Sequence, residues 1–321
     1  MEKVLGMGNA LVDVMTKLNS DDLLKELGLP RGSMQLVDTE FSNRVIEKTK
    51  DLSSEVTSGG SAANTIHGLA KLGVDTGFIG KIGRDELGNL FKEDLINANI
   101  KPLLLESGTD SGKAIALVSP DSERTFATFL GAAVELSAYD ISRDLFKGYG
   151  IFHIEGYLVQ NHELIETAVR LAKENGLKVS LDLAAYNVVE ANLGFLQRII
   201  KNYVDIVFAN EEEAKAFTGQ EPDDALNTIA DMCEIAVVKV GKAGSLIKRN
   251  GETIQVGIIE VNSIDTTGAG DLYAAGFLAG LVKDKDLKTC GEMGALLAGK
   301  VIENLGAKIT HTNWDYIYSK L

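Results

Sequence analysis

Short apolar runs alternate with amphipathic, helix-patterned stretches along most of this 321-residue chain. That alternation calls for a parallel sheet covered by helices, because a strand that returns in the same direction needs a crossover long enough to hold a helix. An apolar strand, Val4 to Gly8, opens the chain, and further buried strands are predicted over Gly77–Ile82, Ile151–Ile154, Lys178–Leu183, Ile206–Ala209 and Ala236–Val240. Helices are predicted over Thr39–Lys50, Ala62–Leu72, Asp85–Ala98, His162–Asn175, Val189–Asn202, Gly268–Lys283 and Leu287–Asn304. No internal repeat or low-complexity tract interrupts the pattern.

One stretch departs from it. From Pro102 to Leu130 the chain reads as strand (Pro102–Glu106), strand (Ala114–Ser119), a turn at Pro120-Asp121-Ser122, and strand (Arg124–Leu130), with no helix between. Strands joined by short polar turns are antiparallel. The expected architecture is therefore α/β: a mostly parallel central sheet covered by helices, formed by residues 1–10, 41–100 and 132–321, with a small discontinuous β-sheet lid from residues 11–40 and 101–131. The cleft between them is the expected binding site. An antiparallel edge on a single sheet is the plainer alternative.

The balance of 32 Lys and Arg against 46 Asp and Glu, a net charge of −14, argues against nucleic-acid and anionic-membrane partners. Any phosphate must be held by local groups. The N-terminus has no basic start or apolar stretch of a signal peptide, and the longest apolar run, Ala274 to Val282, is about half a membrane span, so a cytoplasmic protein is expected. Cys233 and Cys290 have no metal or redox spacing and read as reduced core residues.

The chain's 33 glycines cluster in places that bear on function. Gly6-Met7-Gly8-Asn9 follows a strand but lacks the third glycine of a dinucleotide fingerprint, and a strand-like segment follows it, so that reading is rejected. Asp13, just beyond, could accept hydrogen bonds from paired hydroxyls, although by itself it reads more readily as a turn residue. Ser58-Gly59-Gly60-Ser61-Ala62-Ala63-Asn64 enters a helix: the glycines let a ligand approach the backbone, Ser61 can cap the helix, and Asn64 shares its face.

The strongest motif is Asp265-Thr266-Thr267-Gly268-Ala269-Gly270-Asp271, which runs directly into a helix. Its glycines bare amides at a helix N-terminus, a ready anion site. Asp271 would repel a phosphate there unless it acts on a neutral hydroxyl, taking its proton while the amides stabilise a phosphoryl group. A simple helix cap would not need two glycines between two aspartates. Asn210 and Glu213 share a helical face and could hold hydrated Mg²⁺, although acids in a first helical turn also suit the helix dipole. Lys239 ends a strand before the Gly241-Lys242-Ala243-Gly244 turn, which would suit a nucleotide or be an ordinary hairpin. His153-Ile154-Glu155 lacks the Cys half of a deaminase site and reads as a strand end. Neither a P-loop nor the protein-kinase signatures occur.

In order and spacing these segments resemble the ribokinase-like (PfkB-type) family of carbohydrate and nucleoside kinases over essentially the whole chain. The resemblance rests on Gly59–Asn64, Asn210–Glu213, Lys239–Gly241 and Asp265–Asp271. It implies a ribokinase-like fold whose lid closes over the acceptor, Asp271 as catalytic base, and the Gly268, Ala269 and Gly270 amides as anion hole. It also implies Mg²⁺ and phosphate placement by Asn210 and Glu213, and ATP contacts around Lys239, Gly241, Gly244, Asp265 and Thr266. Within the family, Gly6–Asp13, Gly59–Asn64 and the lid run Glu123–Gly131 are most similar to the adenosine kinase branch. Asp13 and Asn64 would then hold ribose hydroxyls, with Asn9, Gly59, Gly60 and Ser61 alongside. The expected activity is ATP- and Mg²⁺-dependent phosphorylation of the 5′-hydroxyl of adenosine or a related ribonucleoside by a monomer or homodimer. A sugar kinase of the same family and a catalytically silent binding protein are the alternatives.

Overall fold

The computed structural model describes residues 2–121 and 123–321. Its main sheet has nine strands in the order Glu252–Val256, Ser245–Arg249, Ile235–Lys239, Ile206–Asn210, Lys178–Asp182, Ile151–Glu155, Val4–Met7, Thr76–Gly83 and Ile100–Ser107. All neighbours are parallel except the hairpin-linked strands Ile235–Lys239, Ser245–Arg249 and Glu252–Val256. Helices cover both faces, which is why the parallel strands read as continuous apolar runs. In Val4–Met7, Leu5 and Met7 join the core under the helices His162–Glu174 and Leu193–Tyr203, while Val4 joins the core under Ser61–Lys71 and Ala269–Val282. Among the described residues no helix is long and apolar enough to cross a membrane.

A second sheet of five strands runs Met34–Leu36, Arg124–Phe129, Gly112–Val118, Leu11–Lys17, Ser54–Gly59. Val45 of the helix Thr39–Thr49 and Leu24 and Leu27 of Asp22–Leu27 bury one face of it against Ile115, Leu117 and Ala127.

The structure corrects the expected partition in two places. The strand predicted at Pro102–Glu106 lies at the edge of the main sheet, parallel to Thr76–Gly83, because the helix Glu86–Asn97 between the two makes them a β-α-β unit. The small sheet gains Ser54–Gly59, antiparallel to Leu11–Lys17, together with the helix Thr39–Thr49, both expected in the large unit. The predicted helix Val189–Asn202 is two, Tyr186–Ala191 and Leu193–Tyr203, which meet at Asn192. Of the predicted turn, Ser122 lies outside the described residues.

The strand order fixes where a ligand can bind. From Val4–Met7 the chain builds outward on one side through Thr76–Gly83 and on the other through Ile151–Glu155. Open α/β sheets bind ligands outside the carboxyl ends of their strands at such a reversal. The helix Ala269–Val282 reaches that end of the sheet. It is apolar all round and almost wholly buried, as expected of a central helix.

Its close packing depends on missing side chains. A Cβ on Gly276 would lie 2.4 Å from the Met293 carbonyl oxygen of the helix Leu287–Val301. Gly276→Ala should therefore force the helices apart and lower stability by roughly 1–3 kcal/mol. Gly194, in the helix Leu193–Tyr203, has nothing within 4 Å of its added Cβ, and Gly194→Ala should raise stability by up to about 1 kcal/mol. Urea unfolding midpoints of the two variants check the opposite signs.

Candidate active site

The carboxyl ends of the parallel strands carry the site. Asn9 follows Val4–Met7; Glu155, Asp182, Asn210 and Lys239 each end a strand. Together with Asp13, Ser61, Asn64 and Gly268–Asp271 they line a cleft of about 1340 Å³. Single small-molecule sites usually occupy roughly 300–1,000 Å³, so the cleft has room for two ligands side by side.

Glu155 organises one half. Fully buried, it accepts hydrogen bonds from the Asn9 amide (3.0 Å), the Asn9 side chain (2.7 Å) and the Ala62 amide (2.9 Å). It thereby ties the loop after the first strand to the N-terminus of the helix Ser61–Lys71. Burial pushes it up to about 7, against those donors. The paired glycines fit this contact geometry. A side chain on Gly59 would collide with the Asp13 carboxylate, and Gly60 combines φ +93° with a position where a Cβ would meet the Asn9 carbonyl. Ser61 does not cap its helix as expected, since Gly60 is the N-cap. Its hydroxyl instead donates to Asp271 Oδ1 (2.7 Å), and Asn64 Nδ2 donates to Oδ2 (3.0 Å).

Asp271 sits in the first turn of Ala269–Val282, whose N-terminus no side chain caps. Burial lifts its carboxyl to about 6 although Asn64 and Ser61 hold it down. Gly268 starts the helix with φ +77°. The Ala269 amide turns back to the Thr266 carbonyl (3.2 Å), which differs from its expected place in the anion hole, whereas among the described residues the Gly270 and Asp271 amides find no internal acceptor.

Lys239 faces the same helix end: a Cβ on Gly270 would be 3.0 Å from its Nζ. It donates to Asp182 Oδ2 (3.0 Å). Burial works against its charge, but the carboxylates of Asp182, Glu213 and Asp271 together hold the ammonium above the ordinary lysine value. Asn210 and Glu213 form a reciprocal helix cap, Asn210 donating to both Glu213 oxygens (2.8 and 2.7 Å) and accepting from the Glu213 amide (2.8 Å). Burial, with Asp182 nearby, raises Glu213 to about 7.

Thr266, Gly241 and Gly244 line the cleft; Asp265 does not. Both Asp265 oxygens are taken internally, by Thr267, the Gly306 amide (2.6 Å) and Arg124 of the small sheet. Arg124 also donates to Thr267 Oγ1 (2.8 Å). Asp265 thus shapes the glycine loop and ties the small sheet to it.

Glu155, Asp182 and Arg124 were not singled out from the sequence as site residues. The first two carry a usable signal, an acid directly ending an apolar strand of a parallel sheet. Arg124 carries none, since its partner lies 141 residues on in the chain.

Residues 35–313 match the pfkB family carbohydrate kinases. The chain is 28% identical to an adenosine kinase of Saccharomyces cerevisiae, with 94% of each chain covered. It is 29% identical to a 5-dehydro-2-deoxygluconokinase of Lacticaseibacillus casei, covering 91% of this chain and 93% of the other. The crystal structure of an adenosine kinase from Sinorhizobium meliloti superimposes with a TM-score of 0.88 at 32% identity, covering 100% of this chain and 99% of that one.

The site's carboxyls make stability pH-dependent. Asp13 (about 6), Glu155 (about 7), Glu213 (about 7) and Asp271 (about 6) are all raised, so they stabilise the fold while protonated and that contribution is lost as pH rises through 6–7. His67 and His153 are lowered by burial and act oppositely, but only at lower pH. The unfolding temperature of the ligand-free protein should therefore fall between pH 6.5 and 8, and fall less in Glu155→Gln. A flat or rising wild-type profile would refute this account.

Proposed function

The chain belongs to the pfkB family of carbohydrate kinases and is an ATP-dependent kinase with a hydroxyl acceptor; from that premise we propose that it phosphorylates the 5′-hydroxyl of adenosine or a close ribonucleoside. The observation that carries the chemistry is the position of Asp271. Its carboxylate is held on the acceptor side by Ser61 and Asn64, and on the other side it adjoins uncapped amides and the Lys239 ammonium.

Asp271 takes the proton as the acceptor oxygen attacks the γ-phosphorus and ADP leaves. A carboxyl near pH 6 is ionised at neutral pH yet more basic than an ordinary aspartate, the balance that general-base catalysis favours. The Gly268 and Gly270 amides, with Lys239, stabilise the transferring group. Gly241 and Gly244 border the nucleotide end, with Ile258, Val261 and Ala298 as its apolar lining.

Among the described residues no three acids, histidines or cysteines converge into a metal cage. That suits Mg²⁺, which keeps several waters and binds through few carboxylates and the substrate phosphates. Glu213, each of whose oxygens keeps a second lone pair beyond its Asn210 bond, would hold it through water beside Asn210. Bound there, Mg²⁺ supplies charge neutralisation of the phosphates.

At the acceptor end, Asn9, Asp13, Gly60, Ser61 and Asn64 offer polar contacts suited to a ribose. Leu11, Met34, Leu36, Leu130, Val134 and Leu136 form an apolar wall beside them. A nucleobase suits that wall better than a polyol does, and the similarity to adenosine kinases supports this reading. Similarity to 5-dehydro-2-deoxygluconokinases favours a sugar acceptor as the second reading, with the same chemistry.

ADP release with Mg-ATP, measured over nucleosides and sugars, should be fastest with adenosine; turnover of a sugar alone selects the second reading. Asp271→Asn should cut kcat by roughly 10²–10⁴-fold while acceptor binding survives. Near-wild-type turnover would refute its role as base.

A further inference from the structure

Three consecutive residues after the helix Leu287–Val301 support both halves of the cleft. Gly306 donates its amide to Asp265 (2.6 Å). Ala307 packs against Gly268, where an added Cβ would lie 2.6 Å from its own. Lys308 extends to the acceptor side and donates to Ser58 Oγ (3.0 Å).

Lys308 is half-buried and does not line the cleft. Its Nζ lies 3.7 Å from Asp94, and Asp94 also accepts from the Ser58 hydroxyl and contacts His67 Nε2 at 2.7 Å. Ser58 precedes Gly59, against which the Asp13 carboxylate rests, and pairs across the small sheet with Val12, the neighbour of Asp13. An ammonium is thus anchored on Ser58, one residue before the glycine on which the carboxylate read as gripping the acceptor packs.

We propose that Lys308 is a positioning residue for acceptor binding: anchored by Ser58 and Asp94, its charge holds the Asp13 carboxylate in the form that accepts the acceptor's hydroxyls. The same segment, through Ala307 and Gly306, carries this support to the anion-binding loop. The inference rests on the reading of Asp13 as an acceptor ligand.

The charges around Asp13 agree with the geometry. Burial raises its carboxyl to about 6, Lys308 opposes the rise and Asp271 adds to it. Lys308 is itself lowered by burial, which outweighs Asp94, Asp13 and Asp271. His67, lowered by burial and by Lys308 and Lys71 against the pull of Asp94, adds no positive charge at neutral pH.

The test is the acceptor KM of Lys308→Gln relative to wild type as a function of pH. A close opposite charge lowers a carboxyl by roughly 1–3 units. From a starting value of about 6, its loss should therefore raise KM roughly two- to ninetyfold at pH 7, the ratio falling steadily towards unity by about pH 9, with kcat little changed. Lys308→Arg should behave as wild type throughout. A purely structural role would give a deficit that pH does not reverse. If Lys308→Gln does not fold, Lys308→Gln/Asp94→Asn removes both charges together and should show the same reversible deficit. A KM ratio that is unity, or that does not change with pH, overturns the proposal. Absence of acceptor turnover in wild type instead overturns the functional reading beneath it.

Discussion

The Lys239 ammonium, largely withdrawn from water, stands among the carboxylates of Asp182, Glu213 and Asp271, and the geometry of the cleft depends on it. Removing one partner of a buried ion pair costs roughly 3–5 kcal/mol, because the other charge is left uncompensated. These side chains therefore hold one another, and the strand Ile235–Lys239 runs two residues past the level of Asp182, from where the Lys239 side chain reaches it. Lys239 also adjoins Gly270, so the same charge serves the N-terminus of the central helix. An anion arriving there meets an ammonium already oriented, with little left to reorganise.

A second ion pair does the equivalent work between the layers. Arg124, on the small sheet, reaches Asp265 of the glycine loop, and both side chains are buried. Thr267 and the Gly306 amide complete the Asp265 carboxylate. The strand Arg124–Phe129 and the glycine loop consequently occupy their positions together. Excluding water from the space between them strengthens every electrostatic contact inside and protects the phosphoryl group from hydrolysis.

The chain's net charge of −14 stands against a polyanionic substrate such as ATP, so any favourable field in the cleft must come from local groups. Backbone amides carry no net charge and add nothing to the global balance, yet at the start of the helix Ala269–Val282 they present fixed dipoles suited to an anion. Two further glycines of the same helix, Gly276 and Gly280, let the helices Ala269–Val282 and Leu287–Val301 approach closely. Packing and anion binding thus draw on the same scarcity of side chains.

The sequence by itself determined the alternating strand and helix order, and with it the parallel sheet, because apolar periodicity follows directly from which faces are buried. It also determined the glycine motifs around Gly59 and Gly268, since backbone that must turn through positive φ or lie against another group leaves few residue choices. Only the tertiary structure decided which sheet each strand joins. Ile100–Ser107 is marked only by the helix before it, which makes it a β-α-β unit with Thr76–Gly83, whereas Ser54–Gly59 has no local mark of its partner, Leu11–Lys17. The same holds for Glu155 binding Asn9 and Ala62, for Arg124 binding Asp265, and for Lys308 binding Ser58. Each is a contact between charged or polar groups distant in sequence, and their energies exist only once folding has removed the water between them.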